Sequence, residues 1–168
     1  MELTELPISI REAKDFVANY IQKQERPLLL WFEDNISIDV CRRELRTIEG
    51  VKNIDRHPLY GHTKAMPRDK IVNIADHPEL PQLFMDAVGN SDAQWFLYHN
   101  YIEQLKPEHI HYCLALHNNY HKPVVCLINT YALNSEDRID ETFIHEHFEE
   151  RLIAATSHDY QISKEPLY

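Results

Sequence analysis

Three short apolar runs most constrain this chain: residues 28–32 (LLLWF), 93–99 (AQWFLYH) and 124–128 (VVCLI). Each is shorter than a core helix. Apolar character without strict alternation suits strands covered on both faces, as in a parallel sheet. The stretches between them carry helical spacing instead. Ser9 and Glu12 form a capping box with Ile8 as staple, and Ala13, Phe16, Val17, Tyr20 and Ile21 recur on one face. A helix over residues 10–24 follows, stopped at Arg26-Pro27. Residues 38–49 read as a second helix, with Cys41, Leu45 and Ile48 together and Gly50 as its C-cap.

Asp76 and Glu79 repeat the cap-box spacing, with Pro78 in the first turn, and Leu80, Leu83, Phe84, Ala87 and Val88 trace a face closed by Gly89. Pro107 opens a fourth helix that runs to His121, carrying Ile110, Cys113, Leu114 and His117 inward. A fifth is expected from Asp140 to Ala155, using Phe143, Ile144, Phe148 and Leu152. Residues 51–54 and 70–75 are further short strands. Residues 56–70, with Pro58, Gly61 and Pro67, form a long loop.

Short strands alternating with longer helices mean βα units. The expected fold is α/β, a three-layer sandwich with a mostly parallel sheet of about four to five strands and helices on both faces. The 168 residues suit one domain, residues 1–156, with 157–168 as a C-terminal tail.

The formal net charge is -10, and residues 134–168 alone hold nine acidic and three basic side chains. Such a field repels phosphate backbones and anionic lipid. A protein partner therefore fits better than nucleic acid, and a homodimer is compatible with it. No stretch has the length of apolar residues that spans a bilayer, so no membrane role is expected. Three cysteines without close spacing (Cys41, Cys113 and Cys126) argue against a disulfide scaffold. With an N-terminal stretch that matches neither signal peptide nor anchor, they point to the cytoplasm. Only 3 glycines leave little material for a phosphate-cradling loop, and no cofactor is expected.

Open parallel sheets bind ligands beyond the carboxyl ends of their strands. Here those ends are Glu33-Asp34-Asn35, His99-Asn100 and Asn129-Thr130. The competing reading is that these polar residues only turn the chain and cap helices. Residues 56–64 add His57, His62 and a lysine in the one locally basic place, which suits a small anionic ligand. The candidate catalytic set is therefore Glu33, Asp34, His57, His62 and His99.

His109, Cys113, His117 and His121 lie four apart in one stripe. At about 18 Å the stripe is too long for one ion, but His117 and His121 could share zinc with ligands from elsewhere, such as His145 or His147. Against this stands the ordinary packed or solvated histidine. His145-Glu146-His147-Phe148-Glu149 fails the HExxH pattern at Glu149 and reads as an exposed His145–Glu149 pair. Cys41 shares an apolar helix face with Leu45 and reads as a core thiol.

The order of elements resembles that of P-loop nucleotide hydrolases. The run at 28–32 precedes a turn and helix, as a phosphate loop would. WFLYHNYIEQL stands where a metal-binding acidic strand end would, and VVCLINT resembles a strand ending in a polar sensor. Residues 30–40 (LWFEDNISIDV) contain no Gly, no Lys and no GKT-type element, and Glu33 and Asp34 would repel phosphate. His99-Asn100 stands in place of an acidic magnesium ligand. The resemblance is one of rhythm, and it implies a degenerate nucleotide-hydrolase-like domain without its phosphate loop.

Two further classes stay open. One is a non-enzymatic, regulatory α/β module that binds another protein. The other is a small hydrolase or transferase acting on an anionic substrate.

Overall fold

The structure, a computed structural model, describes residues 6–23, 26–54, 86, 89–100, 107–130 and 141–155. The elements are α1 (Ile10–Lys23), β1 (Leu28–Phe32), α2 (Asn35–Leu45), β2 (Val51–Ile54) and β3 (Trp95–Asn100), then α3 (Pro107–Tyr120), β4 (Val124–Asn129), α4 (Glu141–His147) and β5 (Glu149–Leu152). The expected strand at 70–75, nearly all of the helix at 76–88 and the tail at 157–168 lie outside the described residues. The end of that helix is visible: Asn90 N donates to the Asp86 carbonyl at 2.9 Å.

The strands form one sheet in the order β2-β3-β4-β1-β5, and every pairing is parallel. Alternation along each strand divides the core in two. Leu28, Leu30, Phe32, Trp95, Leu97, Val125 and Leu127 face α1 and α2, meeting Ile10, Ala13, Val17, Ile38, Cys41 and Leu45. Leu29, Trp31, Phe96, Tyr98, Val124, Cys126 and Ile128 face α3 and α4, meeting Ile110, Cys113, Leu116 and Ile144. Two cores separated by one sheet make the three-layer α/β sandwich. This double covering is why β1 is apolar throughout, with all five residues buried.

Local signals set several boundaries. Ser9 Oγ accepts the Glu12 N–H at 3.2 Å, the expected cap of α1. α2 begins at Asn35, earlier than expected, because Asp34 caps it. It also ends earlier, at Leu45, with Arg46 as C-cap. Gly50 is therefore not that cap. It has φ 84, and its carbonyl accepts the N–H groups of Gln94 (2.8 Å) and Trp95 (3.3 Å), tying the entry of β2 to that of β3. The backbone also approaches closely at Gly89, where a Cβ would lie 2.3 Å from the Tyr120 ring. Lys122 Nζ reinforces that junction by donating to the carbonyls of Gly89 and Ser91, both at 2.8 Å.

The expected fifth helix is corrected. Only residues 141–147 are helical, and Glu149–Leu152 is a strand paired with β1. The sequence EERL has little strand preference. Its conformation follows from docking beside β1, where Glu149 N donates to the Pro27 carbonyl at 2.9 Å and Ile153 N to the Trp31 carbonyl at 2.9 Å. The N-terminal segment then pairs on β5: Ile8 N donates to the Leu152 carbonyl (3.1 Å) and Ala154 N to the Ile8 carbonyl (2.8 Å).

Candidate functional site at the carboxyl ends of the central strands

β1 and β4 are neighbours, and the described helices that follow them pack on opposite faces. β1 feeds α2 on one side, and the next described helix after β4, α4, packs on the other. Adjacent strands followed by helices on opposite faces mark a switch point, and open α/β sheets bind ligands at the carboxyl-end rim of such a point. Its two lips are Glu33-Asp34-Asn35 and Asn129-Thr130, as expected from the strand ends.

A side-chain bond joins these lips. Asn129 Nδ2 donates to Asn35 Oδ1 at 3.1 Å. Asp34 is half-buried in extended backbone, and its Oδ1 accepts the Ser37 N–H at 2.6 Å. The α2 N-terminus is the natural seat for an anion at this position. Here the chain's own carboxylate takes it, in a cap of a kind worth about 0.5–2 kcal/mol. Glu33 is exposed beside it. Ile36, in the first turn of α2, is 47% exposed, one of only two large apolar side chains so placed among the described residues. Ile36 is not among the residues named from the sequence, although an isoleucine directly after a polar cap, outside the Ile38–Cys41–Leu45 stripe, signals an outward-facing apolar group.

The remaining candidates separate. His99 is buried, one strand away on β3, paired with Leu127 and on the α2 side with Trp95 and Leu97. It is level with Leu127, two residues deeper than Asn129. His57 and His62, with the rest of the 56–64 loop, lie outside the described residues. Glu33, Asp34 and His99 thus share one end of the sheet, with Asp34 committed to capping. Neither strand end carries a lysine or arginine.

The proposed zinc pair meets a different obstacle. α3 stops at Tyr120, so His121 does not continue the helical stripe. It takes φ 55, and its N–H closes the helix on the His117 carbonyl at 3.0 Å. His117 Nδ1 lies 3.1 Å from the Lys122 carbonyl, which can only accept, so that nitrogen carries the hydrogen. Among the described residues no three His, Cys, Asp or Glu side chains converge as a metal site. His121 is a helix terminator that uses a left-handed conformation normally reserved for glycine. His121→Gly is expected to raise the unfolding free energy by about 1 kcal/mol, read from the shift in urea midpoint.

The three thiols are buried. Burial pushes Cys41 and Cys113 up, and Cys113 is also hydrogen-bonded to Cys126. Protonated buried thiols are poor nucleophiles, so the reading of Cys41 as a core residue agrees with its surroundings. His145 does not pair with Glu149. It pairs with Glu150, because the chain turns from α4 into β5 between them.

Sequence comparison adds no assignment. No protein-family model and no curated protein matches this chain.

Proposed function

We propose that this domain is a protein-binding module of regulatory type whose contact surface is the rim at the carboxyl ends of β1 and β4. The observation that carries this reading is the pairing of a self-capped α2 with an outward Ile36. Asp34 occupies the position where a phosphate would bind, which disfavours a nucleotide at this helix. Exposed Ile36, flanked by Glu33 and the Asn35–Asn129 amide pair, supplies instead an apolar anchor beside polar groups. Interfaces are built this way, with a desolvated anchor and a hydrogen-bonding rim. The acidic balance of the chain favours a partner segment carrying lysine or arginine.

The test is affinity capture from the source cells with intact protein, comparing wild type, Ile36→Arg and the variant His121→Gln, exposed on the opposite face of the sheet. The expected result is a captured protein lost with Ile36→Arg, by at least about tenfold, and retained with His121→Gln. Capture of the same proteins by all three would sink the assignment of this rim. Calorimetric titration with magnesium-ATP and with inorganic phosphate separates the competing class. Saturable binding of either that Ile36→Arg abolishes would favour the enzyme acting on an anionic substrate at this rim.

A further inference from the structure

A second constellation lies toward the other end of the sheet. Glu150, in β5 opposite Leu29, projects to the α4 side, and its side chain is 7% exposed. Its Oε1 accepts the Trp31 indole N–H at 2.9 Å, while its Oε2 meets His145 Nδ1. An ionised carboxylate only accepts, so Nδ1 carries the hydrogen, and in the neutral ring the lone pair lies on Nε2. The His145 side chain is 42% exposed. Arg26, exposed at the same corner, donates Nη1 to the carbonyls of His145 (3.4 Å) and Glu146 (3.5 Å). A guanidinium has five donors, so this cation also has capacity for an anion.

A buried carboxylate that fixes Nδ1–H and leaves the lone pair on Nε2 of a half-exposed ring is the arrangement that orients a working imidazole and stabilises positive charge on it. A purely structural clamp would need the Nδ1 bond alone. The half-exposed ring and the adjacent guanidinium are what an anionic electrophile would require in addition.

We propose that His145 is a nucleophilic imidazole that accepts a phosphoryl group from a small anionic phosphoryl donor. Glu150 is its positioning carboxylate, and Arg26 draws in the donor. The Nε2 lone pair forms an N–P bond as the bond from phosphorus to the leaving group breaks, and the leaving group departs with that electron pair. Positive charge arising on the ring is balanced by Glu150, which holds the Nδ1 proton. The product is Nε2-phosphohistidine. This site is separate from the β1–β4 rim and does not depend on the proposed partner binding.

Potassium phosphoramidate is the probe, with ammonia as leaving group, and intact protein is sampled over time by tandem mass spectrometry. Exposed His121 serves as the internal reference. His145 is expected to be phosphorylated at least about tenfold faster than His121, and Glu150→Gln to remove most of that advantage. Arg26→Gln should slow phosphoramidate labelling while leaving carbethoxylation by uncharged diethyl pyrocarbonate unchanged. Equal rates at His145 and His121 in the wild-type protein would overturn the proposal without recourse to any variant. If Arg26→Gln leaves the phosphoramidate rate unchanged, the anionic-donor assignment is overturned.

Discussion

Trp95→Ala is expected to lower the unfolding free energy by about 3–5 kcal/mol, the largest effect of any single side chain considered. Trp95 is fully buried at the start of β3, within the core facing α1 and α2. Its indole N–H also donates to the Glu49 carbonyl at 3.1 Å, fastening the segment after α2 to the sheet. Truncation would therefore open a cavity and leave a carbonyl without its donor. Trp95→Phe keeps most of the volume and loses the hydrogen bond, so about 1–2 kcal/mol is expected. Urea unfolding at neutral pH reads both. A cost below about 1 kcal/mol for the alanine variant would mean that this face is not packed as described.

The second large effect is alkaline unfolding. Desolvation is the leading cause that raises Tyr20, Cys41, Tyr112 and Cys113. Tyr120 is pushed up to about 12, by desolvation first and then by the Asp86 carboxylate that accepts its hydroxyl. All five groups have folded values above their unfolded ones, near 8.5 for cysteine and near 10 for tyrosine. Their contribution is complete below the unfolded values. It falls once the unfolded chain can ionise and the folded chain cannot, and for Tyr120 the loss is complete above about 12. Between pH 8 and 11 the loss should be on the order of several kcal/mol. The urea midpoint measured across that range checks it. Cys41→Ala should flatten part of the slope, since it removes one of the two thiols, whose unfolded values lie below those of the tyrosines. A midpoint independent of pH up to 11 would contradict the burial of these groups.

Much of the architecture was legible because parallel strands under two helical layers must be apolar on both faces. LLLWF and VVCLI have no other economical use in a chain of this length. Ser9, Pro107 and the turn residues after β1 likewise declared their roles through local backbone chemistry. The last strand was hidden for the converse reason. Glu149–Leu152 lies next to an edge and is only partly buried, so its composition follows its side-chain partners. Glu150 is there because Trp31 and His145 come to it from β1 and α4, contacts that periodicity cannot reveal.

The candidate rim was legible to the same extent. Strand ends can be read from where apolar runs stop, which located Glu33, Asp34, Asn35 and Asn129. Which strands are neighbours cannot be read that way. β1 and β4 are far apart in sequence, and only the tertiary structure makes their ends adjacent and packs α2 and α4 on opposite faces. His121 leaves the helical stripe through a single backbone angle.

What the sequence by itself determined, then, is the layered α/β class, the capped start of α1 and the residues that end the central strands. These depend on local propensity and on burial averaged over a segment, both written in consecutive residues. Tertiary structure alone decided the strand order, the conversion of 149–152 into β5, and the meeting of Trp31, Glu150 and His145. Those outcomes depend on which distant segments compete for the same edge of β1, and that competition is settled by packing between elements.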